Sequence, residues 1–321
     1  MSLPAVSGWY TARGQSVTYS HLPRMGFGTF TFWGDGEEFK RAVTAAVDAG
    51  YRHFDCAEFY ENEEAVGAAL EAAQQAGKVT RSELFLVSKA WNHHRTPEAL
   101  RRALEQTLKA LRTDYLDLYL IHWPVCWTEA SLPKMVEGTT IPGGEPDPRG
   151  EAAALAEAWR GMEALVDAGL TRQIGVSNYG VKRLQQLLGS CRIHPACNQV
   201  ECHPHLAQKE LRSFCASKGI DLVAFHPLAN PNKRKAGEPV AIREPVVERI
   251  AHRLGCTPSQ VVLAWNLAHG VVVIPKSATP SRIVENYGAL KVSLSAEDLA
   301  AIDALDQGAR FCCPSWMPSW E

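Results

Sequence analysis

Leu84-Phe85-Leu86-Val87-Ser88-Lys89 is the stretch whose reading decides the fold. Four apolar residues without alternation mark a strand buried on both faces, as in a parallel sheet, and the run closes on a lysine. Asp117-Leu118-Tyr119-Leu120-Ile121-His122 repeats the plan and closes on a histidine. Tyr51-Arg52-His53-Phe54-Asp55 closes on an aspartate, with Tyr60 one short turn beyond it. An ionisable residue at the same end of successive strands points to one shared face of a barrel. Each residue alone is an ordinary polar strand ending. Together, on a repeated strand-helix frame, Asp55, Tyr60, Lys89 and His122 are candidate catalytic residues.

Working outward, strand-like runs are expected at Gly26–Thr29, Arg52–Cys56, Leu84–Ser88, Asp117–Ile121, Gln173–Ser177, Asn198–Glu201, Asp221–Phe225 and Val271–Pro275. Helix-length segments with apolar spacing of three and four separate them, for example Pro97–Leu111 and Val181–Leu188. Pro97 after Thr96 reads as a helix start, and Gly77, Gly169, Gly219 and Gly255 read as helix stops. Eight strands, each followed by a helix, predict an α/β fold of the (β/α)8 TIM-barrel type. Two additional helices are expected at Pro258–Ala268 and Ala296–Leu305, and an N-terminal β-hairpin over Tyr10–Arg24 to close the barrel bottom. Long loops at the C-terminal face are expected from Trp123–Gly150 and Pro227–Arg243, with a tail from Gln307 onward. No interdomain linker or repeat stands out, so residues 1–321 are expected to form one domain.

With 321 residues, 46% of them hydrophobic, the chain can bury one large core. A net charge of −2 gives no basic footprint for nucleic acid. No apolar run is long enough to span a membrane, and the start does not read as a secretory signal. Nine scattered cysteines fit reduced thiols and a cytoplasmic location better than a disulfide framework.

The clustered residues suggest a specific chemistry. Tyr60 could hydrogen-bond a substrate carbonyl and protonate its oxygen. A free tyrosine, with a pKa of about 10, is a poor acid or base near neutrality unless its anion is stabilised. Lys89, held charged by Asp55, is expected to supply that stabilisation, and His122 to orient the same carbonyl. The carbonyl carbon then needs a hydride, which implies a nicotinamide cofactor. The usual Gly-x-Gly-x-x-Gly turn is absent; Gly26-Phe27-Gly28 only approaches it. A better anion site lies in Val271–Asn286, where a strand runs into Lys276 and Ser277 and a helix opens at Thr279-Pro280 beside Arg282.

The chain resembles the aldo-keto reductase family. The segments that carry the resemblance are Gly26–Thr29, Gly50–Gly67 (with Asp55-Cys56-Ala57 and Tyr60-x-Asn62-Glu63), Val87–Trp91, Asp114–Pro124, Ile174–Tyr179, Asn198–Pro204 and Ile274–Asn286. The resemblance implies a barrel that binds NADPH in extended form, with Asp55, Tyr60, Lys89 and His122 as a catalytic tetrad and Tyr60 as general acid. It also implies that Ser177, Asn178 and Gln199 hold the nicotinamide carboxamide. Lys276, Ser277 and Arg282 would hold the 2′-phosphate, with Glu285 and Asn286 near the adenine end. Gly28, Thr29, Asp55, Phe225, Pro227 and Leu228 complete the implied cofactor set. Phe225 stands where the family usually stacks a tyrosine, and a ring face is kept. His226, Ala229 and Asn230 also depart from the family pattern, in the loop that would cover the pyrophosphate. Phe30, Phe59, Trp91, His122 and Trp123 would line the substrate pocket, with Trp33, Trp127, Phe311 and Trp316 either adding to it or packing loops. The implied partner is a small-molecule carbonyl substrate, the implied activity reduction of aldehydes, aldoses or ketones, and the implied state a monomer.

Two other readings are weighed. A cofactor-binding or structural protein on this fold need not keep all four groups. A glycoside hydrolase needs paired carboxylates, for which only Asp55 and Glu201 offer themselves, and Asp55 has a better role beside Lys89. His93-His94 and Cys202-His203-Pro204-His205 look like metal ligands, but no partner pair has useful spacing, so no metal is assigned.

Overall fold

Parallel pairing runs in sequence order through all eight strands of the computed structural model, which describes residues 22–30, 36–128, 144–229 and 239–317. The strands are β1 (Gly26–Gly28), β2 (His53–Asp55), β3 (Phe85–Ala90), β4 (Leu116–Ile121), β5 (Thr171–Ser177), β6 (Cys197–Glu201), β7 (Asp221–Phe225) and β8 (Val272–Val273). The sheet closes on itself through a parallel bridge between Met25 and Val273 and through Gly28 N–H donating to Pro275 O at 3.2 Å. The result is a (β/α)8 barrel.

The helices are α1 (Gly36–Ala49), α2 (Glu63–Gln75), α3 (Pro97–Leu111), α4 (Glu151–Asp167), α5 (Val181–Leu188), α6 (Lys209–Ser217), α7 (Pro245–Leu254), α8 (Pro258–Ala268), α9 (Pro280–Tyr287) and α10 (Ala296–Asp303). Their ends follow local chemistry. Thr96 Oγ1 accepts from Ala99 N–H at 3.2 Å to cap α3, whose buried face is Leu100, Ala103, Leu104, Thr107, Leu108 and Leu111. Gly255, at φ 63°, takes the left-handed turn that ends α7. The two expected additional helices are α8 and α10, the latter shorter than expected and ending at Asp303. The expected hairpin falls outside the described residues except at its very end, as do Trp33, Asn230 and the middles of two long loops.

Alternation along the strands separates two cores. Phe54, Leu86, Ala90, Tyr119, Ile121, Ile174 and Val176 pack outward against the helices. Val87, Leu118, Leu120, Cys197 and Val223 fill the barrel interior. Asp55, Lys89, His122, Gln199 and Phe225 share the inward phase, one step nearer the C-terminal ends. The barrel packing therefore forms the floor on which these polar groups stand. Among the described residues no helix is long and apolar enough to cross a membrane, and no disulfide joins the nine cysteines.

Candidate active site

Lys89 Nζ is the hub of the site. It donates to Asp55 Oδ2 at 2.7 Å, to the Cys56 carbonyl at 2.8 Å and to Tyr60 OH at 3.2 Å. Gln199 Nε2 donates to the other Asp55 oxygen at 2.7 Å, so both carboxylate oxygens are engaged. Lys89 is wholly buried and Asp55 nearly so. Burial works against the ammonium, but Asp55 and Tyr60 together outweigh it and hold it well above its ordinary pKa. Removing one partner of such a buried pair strands the other charge, at a cost of about 3–5 kcal/mol.

Lys89 eases the ionisation of Tyr60 as expected, but burial outweighs it. Burial pushes the phenol up to about 12; Lys89 pulls it back, and Asp55 pushes it further up. Desolvation wins because Tyr60 sits deep in the groove with only part of its ring exposed, while the lysine charge is largely neutralised by Asp55. Tyr60 is therefore protonated near neutral pH. His122 is held well below its ordinary value by burial, then by Lys89 and Arg95, so its ring is neutral. Its Nδ1 has no hydrogen-bond partner. The Tyr60 and His122 rings stand 5.8 Å apart, edge to face.

These groups open into a cavity of about 820 Å³. At one end its wall is aromatic: Phe30, Phe59, Trp91, His122 and Trp123. Phe59 stacks on Trp91 at 3.7 Å, and the Trp91 ring meets His122 edge-on at 4.9 Å. The cavity continues past Ser177, Asn178, Gln199, Phe225, Pro227 and Leu228 to Lys276, Ser277, Arg282, Glu285 and Asn286. Gly28 and Asp55 also border it. One continuous groove thus brings together nearly every residue singled out from the sequence. Two stand behind its wall. Lys89 is sealed beneath Tyr60, and Thr29 is fully buried, donating from Oγ1 to the Asp55 carbonyl at 2.9 Å.

The groove suits a dinucleotide. Asn178, in a left-handed turn at φ 66°, donates from Nδ2 to the His122 carbonyl and to Ser177 Oγ, at 3.0 and 3.1 Å. Its Oδ1 is buried without a partner and can receive an amide N–H. Far along the groove, exposed Lys276 and Arg282 flank the start of α9, where Ser277 Oγ accepts from Thr279 N–H at 3.1 Å. Glu285 is partly committed, accepting from Thr257 Oγ1 at 2.9 Å.

The ambiguous aromatic residues divide. Trp127 and Trp316 pack with Trp91 and Trp123 as outer wall. Phe311 stacks on His203 at 5.1 Å and holds the tail down instead. Cys312 borders the cavity while Cys313 is exposed. Glu201, weighed as half of a carboxylate pair, accepts the N–H groups of Phe311 and Cys312 and lies 3.2 Å from His203 Nε2. Arg95 carried no signal in the sequence. It is fully buried and donates to the carbonyls of Trp91, Trp123 and Val125, tying the β3 and β4 loops together. Glu38, Arg243 and Ser259 also reach the groove, from segments without any motif.

Residues 24–307 match the model of the Aldo/keto reductase family. The chain is similar to "Aldo-keto reductase family 1 member A1" of Sus scrofa, at 38% identity over 92% of this chain and 90% of that protein. The proteins of that name from Bos taurus and Homo sapiens are 39% and 38% identical over the same shares. With its barrel, the family match and these relatives, the chain belongs to the aldo/keto reductase family and is an oxidoreductase of carbonyl compounds.

Proposed function

We propose that this protein reduces aldehydes, and some aldoses or ketones, to alcohols with NADPH. The observation that carries the proposal is Tyr60: a phenol lining the inner end of the groove, its OH 3.2 Å from the buried Lys89 ammonium. Bound in the groove, the nicotinamide would supply the hydride. The chain's own residues do the rest. Tyr60 OH and the neutral His122 ring offer two polar contacts to a carbonyl oxygen, and Tyr60 gives its proton as negative charge develops. Lys89 stabilises the phenolate left behind, and Asp55 keeps Lys89 charged and in place. Ser177, Asn178 and Gln199 would orient the carboxamide, and Phe225 offers a ring face. Lys276, Ser277 and Arg282 would hold the 2′-phosphate that separates NADPH from NADH. The aromatic wall excludes water and selects apolar or aromatic carbonyl compounds.

The test is NADPH consumption against a panel of aromatic, short aliphatic, sugar and dicarbonyl aldehydes, with Tyr60→Phe alongside. Turnover by the parent, reduced by about 10²–10⁴ in the variant, supports the reading. Tight cofactor binding with no turnover of any carbonyl compound would replace it with a cofactor-binding role.

A further inference from the structure

Glu58, His93 and His94 form a second cluster of chemistry-bearing side chains. Glu58 opens the short turn Glu58–Tyr60 after β2, and the two histidines sit in the loop after β3. One ligand atom from each lies within 4.8 Å of the other two. His94 Nε2 is 2.8 Å from Glu58 Oε1, and His93 Nε2 is 3.9 Å from the same oxygen. The two rings face each other at 3.8 Å, tilted by 48°.

The sequence hid this arrangement. An adjacent histidine pair lacks the spacing of a helical chelate, and nothing in the order of residues tied Glu58 to it. The fold supplies the third ligand by setting the β2 and β3 loops side by side. His93 is buried, and its Nδ1 has no hydrogen-bond partner. Glu58 keeps 28% of its side chain exposed, which leaves an ion a way in. Two imidazoles and one carboxylate suit zinc and its transition-metal neighbours. Calcium and magnesium want more oxygen ligands than this site offers.

We propose that Glu58, His93 and His94 bind a zinc-type divalent ion, and that its binding inhibits the enzyme. The route to inhibition is short. Glu58 is followed directly by Phe59 and Tyr60, and its Oε2 accepts the Trp91 N–H at 3.4 Å. An ion drawing Glu58 toward both histidines pulls on the turn that aims Tyr60 and on the Phe59–Trp91 stack. The ion plays no part in the reaction itself. The binding half stands by itself, and the inhibition half rests on the reductase reading above.

The experiment is calorimetric titration of the chelator-treated, tag-free chain with Zn²⁺, repeated with Co²⁺ for its absorption spectrum, beside the NADPH assay. One ion per chain is expected, with a cobalt spectrum lacking thiolate charge transfer and with falling turnover as zinc is added. Because His93 is buried, the variants are the less buried His94→Gln and Glu58→Gln. Each should weaken zinc binding by about 100-fold or more, given that even an outer partner of a ligand is worth roughly 10–100-fold. His94→Gln, whose side chain lies outside the groove lining, should retain turnover without zinc and resist inhibition; Glu58→Gln is read by zinc affinity alone. A Cys312→Ser/Cys313→Ser variant should bind zinc as the parent does. Absence of stoichiometric binding, a thiolate signature, or unchanged affinity in both variants would overturn the site. Binding at the site with undiminished turnover would overturn the inhibition. A chain that binds zinc but turns over no carbonyl compound would sink the reductase reading and leave the metal site standing.

Discussion

Glu201 accepts the backbone N–H of Cys312 at 3.0 Å, and so a buried carboxylate at the end of β6 pins the tail across the mouth of the barrel. Phe311 N–H reaches the same carboxylate at 3.1 Å. Burial opposes the charge, but the His203 contact and these amides keep Glu201 below its ordinary pKa. Replacement by Gln keeps the shape and removes the charge. Hydrogen bonds to a charged group contribute roughly 1.5–3 kcal/mol, so Glu201→Gln should raise KM for bulky aldehydes by about 10-fold. The value of kcat should change less, since the reacting groups are untouched. An unaltered KM across substrates of different size would mean that packing of Phe311 on His203 suffices to hold the tail.

The Tyr60 phenol, pushed up to about 12, sets opposite pH profiles for the two directions of reaction. Reduction needs the protonated form, which persists through neutral and mildly alkaline pH, so Tyr60 adds no falling limb there. Alcohol oxidation needs the ionised form and should climb with pH over the same range. Steady-state kcat/KM for both directions between about pH 6 and 10 is the measurement. A reduction limb that falls near pH 8 and disappears in Tyr60→Phe would contradict the burial argument.

Lys276 and Arg282 flank the start of α9 at the far end of the groove. Either residue changed to Ala should weaken NADPH by about 10-fold or more, the value of one charge-assisted contact, and leave NADH nearly unaffected. Fluorescence titration with both cofactors reads this directly. Equal losses for the two would remove these residues from the 2′-phosphate.

Glu63 gives stability its own pH dependence. Its carboxylate accepts from Ser88 Oγ at 2.5 Å and Thr107 Oγ1 at 3.0 Å, between α2, β3 and α3. Burial pushes its pKa up to about 7, against those two hydrogen bonds, from an ordinary 4.5. The folded state therefore holds the proton more tightly than the unfolded state. This contribution is fully present below about pH 4.5 and is lost as pH rises through 7, at up to about 1.4 kcal/mol per unit. Denaturant unfolding between about pH 5 and 8 should show the parent losing stability relative to Glu63→Gln. Parallel curves would show that the carboxyl titrates alike in both states.

Much of this protein was legible from local pattern. Continuous apolar runs such as Leu84–Val87 reported burial on both faces, and Thr96-Pro97 and Gly255 marked helix ends, because burial and capping depend on residues a few positions apart. The same logic placed Asp55, Lys89 and His122 at strand ends of one phase, and in a parallel barrel equal phase means one shared face. What depended on distant segments was decided only by the tertiary structure. The net direction of the Tyr60 pKa turns on how deep in the groove its ring sits, and the desolvation outweighs the lysine that the sequence could name. Thr29 fell behind the wall although its neighbours Gly28 and Phe30 line it. Arg95 binding four loop carbonyls, Glu201 reaching the tail, and Glu58 joining His93 and His94 all follow from loop paths at the barrel mouth. No periodicity encodes those paths, because each is settled by the packing of the whole chain.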